Sequence, residues 1–467
     1  MRQTAVTSRP RPACKAPAAA VAGLLALSVA LAPSVAAAQG NVAIVRDAET
    51  EALLQHYLRP IFGAAGIRSG NIHAFLIPND AFNAFVASGR QMFVNTGAII
   101  DSETPNELIG VLAHETAHLS HNDEAGLRQA VDQAKTAVLI ASLLGMGAAI
   151  AGSLTNAEGA AAAGTGIMTG AAAVGERTLL AYRRTQEAAA DRSAVDYLTA
   201  TGQSAAGLLA TLKRLADQNL FLSRQADPYL QSHPLARERV ITVEALAHES
   251  QHFGRADPPA LQQRHDLVRA KLVGFTWPSG RVLRRYPGTD TSLPARYARA
   301  IAAYRFGPLE PALRQIDDLI AADGNFPYFW ELRGQALLET GNPRAAIDPL
   351  RRAVALDSDS ALLKILLGQA LVATGEEGLA REAVDLLSVA LSADPDSSAG
   401  YRALARAHAM LGNTAMARLT TAEGLFAEGN IELAKEQAAR ARDELRTGTP
   451  AWLRADDIVA YNPPKPR

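Results

Sequence analysis

The sequence predicts a mainly α-helical chain, in which an α+β domain with a small sheet is followed by an α-helical repeat array. A capping box and an apolar stripe predict a helix from Thr104 to Asn122, and the extended piece Gln91–Thr96 before it supplies a strand. From about Pro294 onward, alanine-rich helical patterns recur at a fixed spacing. A chain of 467 residues is long enough to hold both parts, each with its own hydrophobic core.

The first 38 residues have the order of a secretory signal peptide, so we expect the mature protein to lack them. A positively charged start is followed by the apolar run Ala18–Ala32 and by three alanines, Ala36–Ala38, that suit a cleavage site. The only cysteine, Cys14, precedes the apolar run, which argues against a lipid anchor. We therefore expect export to a bacterial periplasm and a mature chain without disulfides.

The overall charge is close to balanced, with 46 basic and 47 acidic residues and a formal net charge of −1. This balance shows no footprint of nucleic-acid binding. Loss of the four positive charges of the signal peptide would leave a net charge of about −5. Because the mature chain would contain no cysteine, any zinc site must be built from His, Glu and Asp.

The segment Val111–Asp123 reads "VLAHETAHLSHND" and contains the pattern H-E-x-x-H. On the predicted helix, His114 and His118 lie one turn apart on the same face, where two imidazoles can reach one metal ion. Glu115 lies beside them and is suited to act as a general base on a water molecule. The alternative is a solvated histidine pair on an ordinary helix, and the motif alone does not decide between the two.

A catalytic zinc site needs a third protein ligand and an open position. His121 lies on the same helix, but one straight helix rarely wraps three ligands around an ion, so we expect His121 to be an ordinary polar residue. Downstream, Arg183–Leu198 ("RRTQEAAADRSAVDYL") favours a helix on which Glu187 and Asp191 lie four residues apart. Glu187 can complete a His-His-Glu set, and Asp191 can accept the remaining N–H of a ligand histidine. An acidic pair on a surface helix is the alternative.

Together these motifs resemble the HtpX/Oma-type zinc metallopeptidases, a gluzincin family with H-E-x-x-H and a distant E-x-x-x-D. Ala81–Ile99 ("AFNAFVASGRQMFVNTGAI") is similar to the strand pair that precedes the metal helix in that family, and Ser232–Arg239 ("SHPLARER") is similar to its S-x-H-P segment. With a signal peptide and carboxy-terminal repeats, the chain looks most like the BepA-type branch of periplasmic proteases concerned with outer-membrane protein assembly. The resemblance implies a gluzincin-like domain that binds one Zn²⁺ through His114, His118 and Glu187.

The resemblance also implies roles for residues around the zinc. Glu115 carries over as the general base and Asp191 as the residue that orients a ligand histidine, while His233 and Arg239 carry over as further active-site residues. A His or Arg above an open zinc can stabilise the oxyanion, but His233 could equally be a fourth ligand that keeps the enzyme latent. A His-Pro turn with a structural arginine is the third alternative. In such proteases an edge strand binds substrate by strand addition, and we expect Gln91–Thr96 to be that edge.

Two uncharged stretches, Thr136–Ala157 and Gly159–Gly175, separate the metal motifs, and each approaches the length of a membrane span. Their content is chiefly Ala, Gly, Ser and Thr, which contribute little to membrane insertion. We therefore expect a helical hairpin of small residues, at about 134–175, packed on the protease domain and able to present an apolar face to lipid or a partner. A true span and a plug over the active-site cleft are the alternatives.

The carboxy-terminal part contains an internal repeat. "GQALLETG" (Gly334–Gly341) recurs as "GQALVATG" (Gly368–Gly375) 34 residues later, which is the tetratricopeptide period. A three-residue insertion near Glu376–Gly378 lengthens the next unit, and we expect the helix Ile431–Leu445 to cap the stack. Stacked repeats form a concave surface of the kind that binds proteins. The alternative is a helical bundle that only braces the catalytic domain.

These observations predict a signal peptide (1–38), a zinc metalloprotease domain (39–256), a connecting arm (257–293), a tetratricopeptide repeat domain with a capping helix (294–445) and a tail (446–467). We expect His248, His252 and His265 to be exposed. The predicted function is a periplasmic zinc endopeptidase that cleaves misfolded or misassembled envelope proteins, and peripheral contact with the outer membrane is a further expectation. Its repeats would recruit clients or the outer-membrane assembly machinery. The alternatives are a chaperone or adaptor with a latent protease site, and a structural zinc protein.

Overall fold

A computed structural model describes residues 44–68, 73–87, 91–123, 125–133, 135–136, 158–221, 233 and 237–463. The predicted signal peptide and most of the first uncharged stretch, Thr136–Ala157, lie outside the described residues. The second stretch, Gly159–Gly175, lies within a long helix, Glu158–Ala200, that continues to Glu187 and Asp191. In the part of the chain that the structure describes, no helix is both long and apolar enough to cross a membrane.

The amino-terminal part combines helices with one small sheet. Its elements in chain order are α1 (Ala48–Ala64), β1 (His73–Ile77), β2 (Ala84–Ala87), β3 (Gln91–Asn95), α2 (Thr96–Asp101), α3 (Pro105–His121), α4 (Glu158–Ala200), α5 (Ala206–Phe221), α6 (Arg237–Glu249), α7 (Pro259–Thr276) and α8 (Ser279–Arg285). Buried apolar side chains from these helices and strands form its hydrophobic core. The mainly α-helical architecture with a small sheet, predicted from the sequence, is confirmed.

The sheet has the strand order β1-β3-β2, with β1 parallel and β2 antiparallel to β3. The expectation that Gln91–Thr96 forms an edge strand is therefore wrong, because β3 is the central strand and Thr96 already begins α2. The sequence analysis missed β1, which covers one side of β3. Among the described strands, β2 is the edge that packs against the metal helix α3.

The segment 257–293, expected to be a connecting arm, forms two helices, and α7 is part of the core. Val268 and Leu272 of α7 are buried in the core of the amino-terminal part, whereas Leu267 is buried in the core of the repeats. The expectation that His265 is exposed is wrong, because this side chain is fully buried. Its Nε2 lies 2.8 Å from the carbonyl oxygen of Ser102, and its Nδ1 lies 3.1 Å from the hydroxyl of Tyr57. These two hydrogen bonds satisfy the buried ring.

A buried charge cluster joins the start of the described chain to α7 and to the repeats. We call it the Lys271 cluster; it consists of Asp47, Glu49, Lys271, Tyr297 and Glu331. The Lys271 Nζ lies 2.5 Å from Asp47 Oδ2, 2.9 Å from Glu331 Oε2 and 3.5 Å from Glu49 Oε2. The Tyr297 hydroxyl donates to Glu49 Oε2 at 2.9 Å. The cluster therefore holds three carboxyl groups against one cation.

Ten helices follow as antiparallel neighbours in chain order. They are α9 (Leu293–Phe306), α10 (Leu309–Ala322), α11 (Pro327–Glu339), α12 (Pro343–Leu356), α13 (Ala361–Ala373), α14 (Glu377–Ala393), α15 (Ser398–Met410), α16 (Thr414–Ala427), α17 (Ile431–Glu444) and α18 (Pro450–Ala460). Each helix packs on the next, as in a helical repeat array. The segment 446–467, expected to be a tail, contains α18, whose Ala455 and Ile458 are buried against preceding helices.

The two copies of the repeated octapeptide occupy equivalent places in the array. A Cβ at Gly334 would lie 2.4 Å from Leu350, and a Cβ at Gly368 would lie 2.5 Å from Leu387, so both glycines permit close helix contact. Leu350 is 16 residues after Gly334, and Leu387 is 19 residues after Gly368. The difference of three residues matches the insertion inferred from the sequence.

Candidate metal centre

The helix that carries H-E-x-x-H begins and ends as predicted. Thr104 is its N-cap, and the side chain of Thr104 accepts a hydrogen bond from the backbone N–H of Glu107. The carboxylate of Glu107 accepts from the N–H of Glu103 rather than from that of Thr104, so the capping box reaches one residue further back. Asn122 ends the helix in the left-handed conformation, with φ 57° and ψ 40°.

Helices α3 and α4 bring three donor side chains to one point. The Nε2 atoms of His114 and His118 lie 3.1 Å apart. Glu187 Oε2 lies 3.3 Å from His114 Nε2, and Glu187 Oε1 lies 3.5 Å from His118 Nε2. Two ligands bound to a tetrahedral zinc at about 2.0–2.1 Å would be separated by about 3.3 Å. The spacing of these donors therefore fits one zinc-sized ion.

Asp191 and Arg239 contact the donor residues His114 and Glu187. His114 Nδ1 lies 3.0 Å from Asp191 Oδ1, which is the contact expected for a carboxylate that orients a ligand histidine. Arg239 makes a bidentate contact with Asp191 at 2.7 and 2.8 Å and also reaches Glu187 Oε2 at 2.7 Å. Burial raises the pKa of Asp191, but Arg239 and His114 more than offset it and lower the pKa to about 2. Asp191 is thus held as an anion.

A carboxylate that the sequence analysis missed orients the second histidine. Asp123 Oδ2 lies 2.7 Å from His118 Nδ1. The left-handed turn at Asn122 reverses the chain immediately before Asp123, which lets this side chain reach back to the end of α3. The Gln186 side chain donates to the Asp123 carbonyl oxygen at 3.2 Å and so ties this turn to α4. The sequence signal for this role is an acidic residue, Asp123, directly after the C-cap residue Asn122.

Glu115 and His233 occupy the same buried space beside the donor set. His233 Nε2 lies 3.4 Å from Glu115 Oε1, and His233 Nδ1 lies 3.1 Å from Glu187 Oε1. Burial raises the pKa of Glu115 to about 8, against the opposing effect of His114. Burial lowers the pKa of His233 to about 4 despite the nearby Glu187. A carboxyl whose pKa is near neutrality is suited to take up and release a proton.

The donor set meets the requirements of a metal site. One ligand atom each from His114, His118, Glu187 and His233 lies within 4.8 Å of the others, and three of these four residues are buried. Imidazole and carboxylate are the donors that zinc accepts when no thiolate is present. His121 is exposed and pairs instead with Ser193 Oγ at 3.1 Å, so it stays outside the set.

Residues 48–247 match Peptidase family M48. Over these residues the chain is similar to the metallopeptidases of that family. The chain is 25% identical over 400 residues to the beta-barrel assembly-enhancing protease of Escherichia coli (strain K12), with 82% of this chain and 77% of the relative covered. It is 24% identical over 391 residues to the protein of that name from Yersinia pestis, with the same coverage.

One solved structure is similar to part of this chain. A crystal structure of MamA matches with 21% sequence identity and a TM-score of 0.28, and it covers 34% of this chain and 89% of MamA. The array is defined by its own helices and by the internal repeat of the sequence.

Proposed function

We propose that this protein is an exported zinc endopeptidase that hydrolyses peptide bonds in misfolded or misassembled envelope proteins. The observation that carries the proposal is the position of Glu115, which is buried beside His233 and next to the donor set without belonging to it. A structural zinc site has no use for a buried carboxyl that is not itself a ligand. Hydrolysis needs such a group to move a proton.

Each of the remaining residues has a separate task in this proposal. His114, His118 and Glu187 would hold Zn²⁺, with Asp191 and Asp123 fixing the tautomers of the two histidines. The zinc would supply a Lewis acid that polarises the scissile carbonyl and makes water a stronger acid. Glu115 takes the proton from the attacking water and delivers it to the leaving amine. Arg239 keeps Asp191 and Glu187 ionised and in place.

We assign His233 a silencing role, as a fourth donor that competes with substrate. The support is that one ring nitrogen of His233 lies within 4.8 Å of ligand atoms of His114, His118 and Glu187, so this side chain can reach the same ion. In the alternative, an oxyanion role, the ring must move away from Glu115 when substrate binds. Replacement of His233 distinguishes the two roles, because it raises activity in the first case and lowers it in the second.

Substrate would bind by strand addition, and we assign the accepting edge to β2 instead of Gln91–Thr96. The Asn95 N–H donates to the carbonyl oxygen of Asn83 at 2.9 Å, so the pair Asn83–Asn95 is hydrogen-bonded. Pairing alternates along an antiparallel ladder, and the backbone groups of Ala84 and Val86 therefore point to the free edge. Such an edge reads backbone, which makes an unfolded segment the preferred substrate.

The repeats would recruit clients or the outer-membrane assembly machinery. A cavity of about 600 Å³ lies where α11, α13 and the start of α15 face the amino-terminal part. Apolar side chains of α13, including Leu362 and Leu366, line it together with Lys271 and Glu331. We propose that this cavity takes a short segment of a client polypeptide. The proposed periplasmic location rests on the predicted signal peptide.

The test uses residues 39–467 loaded with zinc and two substrates, unfolded casein and a stably folded protein. We expect cleavage of casein but not of the folded protein, complete loss of cleavage in Glu115→Gln at unchanged zinc content, and a gain in His233→Ala. Zinc-loaded His233→Ala that cleaves neither substrate would reject the peptidase proposal. The chaperone alternative, in which the site stays latent, predicts instead that Glu115→Gln retains the full effect of the protein on client assembly.

A further inference from the structure

A basic surface lies around Trp277, where arginines of α8 and of the end of α9 come together. Between Leu272 and Leu309 the sequence contains six arginines and one acidic residue, Asp290, although the chain as a whole has a net charge of −1. Four of these arginines are exposed and two exposed apolar residues lie among them. We call this surface the arginine face; it consists of Arg281, Leu283, Arg284, Arg285, Arg305 and Phe306.

The arginine face is anchored to one fixed aromatic ring. The guanidinium carbon of Arg281 lies 3.4 Å from the centroid of the buried Trp277 ring, and that of Arg285 lies 5.9 Å from it. Arg305 donates to the carbonyl oxygens of Gly274 and Trp277 at 3.0 and 3.4 Å. Val282, also on α8, is fully buried. The short helix is therefore held in one orientation with its arginines outward.

The positive charge of this face is only partly neutralised. Asp80 pairs with Arg281 at 3.0 Å, and Asp101 lies close enough to interact with Arg281 and Arg285. Among the residues that the structure describes, no carboxylate lies within 4.0 Å of Arg284, Arg285 or Arg305. An excess of cations remains at the surface.

The arginine face also exposes two large apolar side chains. Leu283 is 48% exposed between Arg281 and Arg284, and Phe306 is 53% exposed with the Arg305 guanidinium 4.6 Å from its ring centroid. Exposure of such apolar side chains to water is unfavourable, whereas a lipid surface can bury them below the headgroups. Long arginine side chains can remain at headgroup level while their neighbours insert.

We propose that the arginine face docks this protein on the surface of an anionic membrane. The chemistry fits both layers of such a surface, since the arginines meet phosphate headgroups and Leu283 and Phe306 enter the apolar boundary. An acidic protein would meet the arginines alone, whereas an anionic membrane also takes up the exposed Leu283 and Phe306. The docking does not depend on peptidase activity.

The experiment is flotation of residues 39–467 with vesicles, using Glu115→Gln as the background so that no cleavage occurs. Vesicles of phosphatidylcholine with 30 mol% phosphatidylglycerol (about the anionic content needed for a measurable surface potential) are compared with phosphatidylcholine alone. We expect binding only to the anionic vesicles. Each arginine near such a surface contributes about 1 kcal/mol, so Arg284→Gln/Arg285→Gln should weaken partitioning about thirtyfold.

The matched control is Arg314→Gln/Arg352→Gln, which removes two exposed arginines from repeat helices. It should change partitioning less than about twofold, because these residues lie outside the arginine face. Leu283→Ser/Phe306→Ser should reduce the binding that persists at high salt. The proposal is overturned if the parent protein fails to bind anionic vesicles, or if the control double variant loses as much binding as Arg284→Gln/Arg285→Gln. Circular dichroism on every variant checks that the fold is kept.

Discussion

Glu49 gives the sharpest stability prediction, because it is buried with two other carboxyl groups around one lysine. The side chain is 3% exposed, and its Oε1 has no hydrogen-bond partner among the described residues. Burial raises the pKa of Glu49 to about 8, with Lys271 opposing and Asp47 adding to the rise. We therefore predict that Glu49 is protonated in the folded protein at neutral pH, and that Glu49→Gln reproduces this state at every pH.

The magnitude follows from the two pKa values. The unfolded chain loses the Glu49 proton near pH 4.5, and the folded protein keeps it until about pH 8. The free energy of unfolding thus contains a contribution that is fully present below pH 4.5 and is lost as the pH rises to about 8. A pKa difference of this size corresponds to about 5 kcal/mol. Since Asp47 and Glu331 titrate with Glu49, we expect about 3–5 kcal/mol.

The assay is urea unfolding of residues 39–467 at pH 5, 7 and 9, with Glu310→Gln as an exposed control. At pH 5 the wild type and Glu49→Gln should be equally stable within about 1 kcal/mol, because the amide oxygen still accepts from Tyr297. At pH 9 Glu49→Gln should be the more stable protein, and Glu310→Gln should follow the wild type. Equal loss of stability by Glu49→Gln at all three pH values would refute the reasoning, since it would mean that Glu49 is ionised in the fold.

Three further predictions test the site, the substrate edge and the repeats. Asp123→Asn should weaken zinc binding about tenfold to a hundredfold without unfolding the domain, measured by competition with a chelator; unchanged affinity would show that His118 needs no orienting partner. Val86→Pro removes an outward backbone donor, so kcat/KM for casein should fall at least about tenfold at constant zinc content; an unchanged kcat/KM would remove β2 as the substrate edge. Gly334→Ala places a Cβ 2.4 Å from Leu350 and should destabilise the repeats by about 1–3 kcal/mol; a melting temperature equal to that of the wild type would contradict the close packing.

The parts of the site that depend on local spacing could be predicted from the sequence. The capping box at Thr104 and the stop at Asn122 set the helix, and the four-residue spacing set the common face of His114 and His118. The pairing of Glu187 with them rested on a second motif in a distant helix. Asp123 was missed because its role depends on a chain reversal, and no periodicity reports where a side chain points after a turn.

The parts that depend on tertiary contacts could not be predicted. The apolar pattern of α7 does not show that it packs against both the first domain and the repeats. His265 was expected to be exposed because its partners, Tyr57 and Ser102, are distant in sequence. The position of β3 was misjudged for the same reason. An edge strand and a central strand of a small sheet differ only in whether a second neighbouring strand exists. The apolar pattern of β1 is too short to predict a strand there.

The zinc content of purified residues 39–467, after dialysis against a weak chelator, tests directly whether His114, His118 and Glu187 form the metal centre. We predict about one zinc per chain in the wild type and in Glu115→Gln, because Glu115 moves a proton and is not a ligand. We predict little or no zinc in Glu187→Gln, with the repeats still folded. Full zinc retention in Glu187→Gln, or loss of zinc in Glu115→Gln, would contradict this assignment.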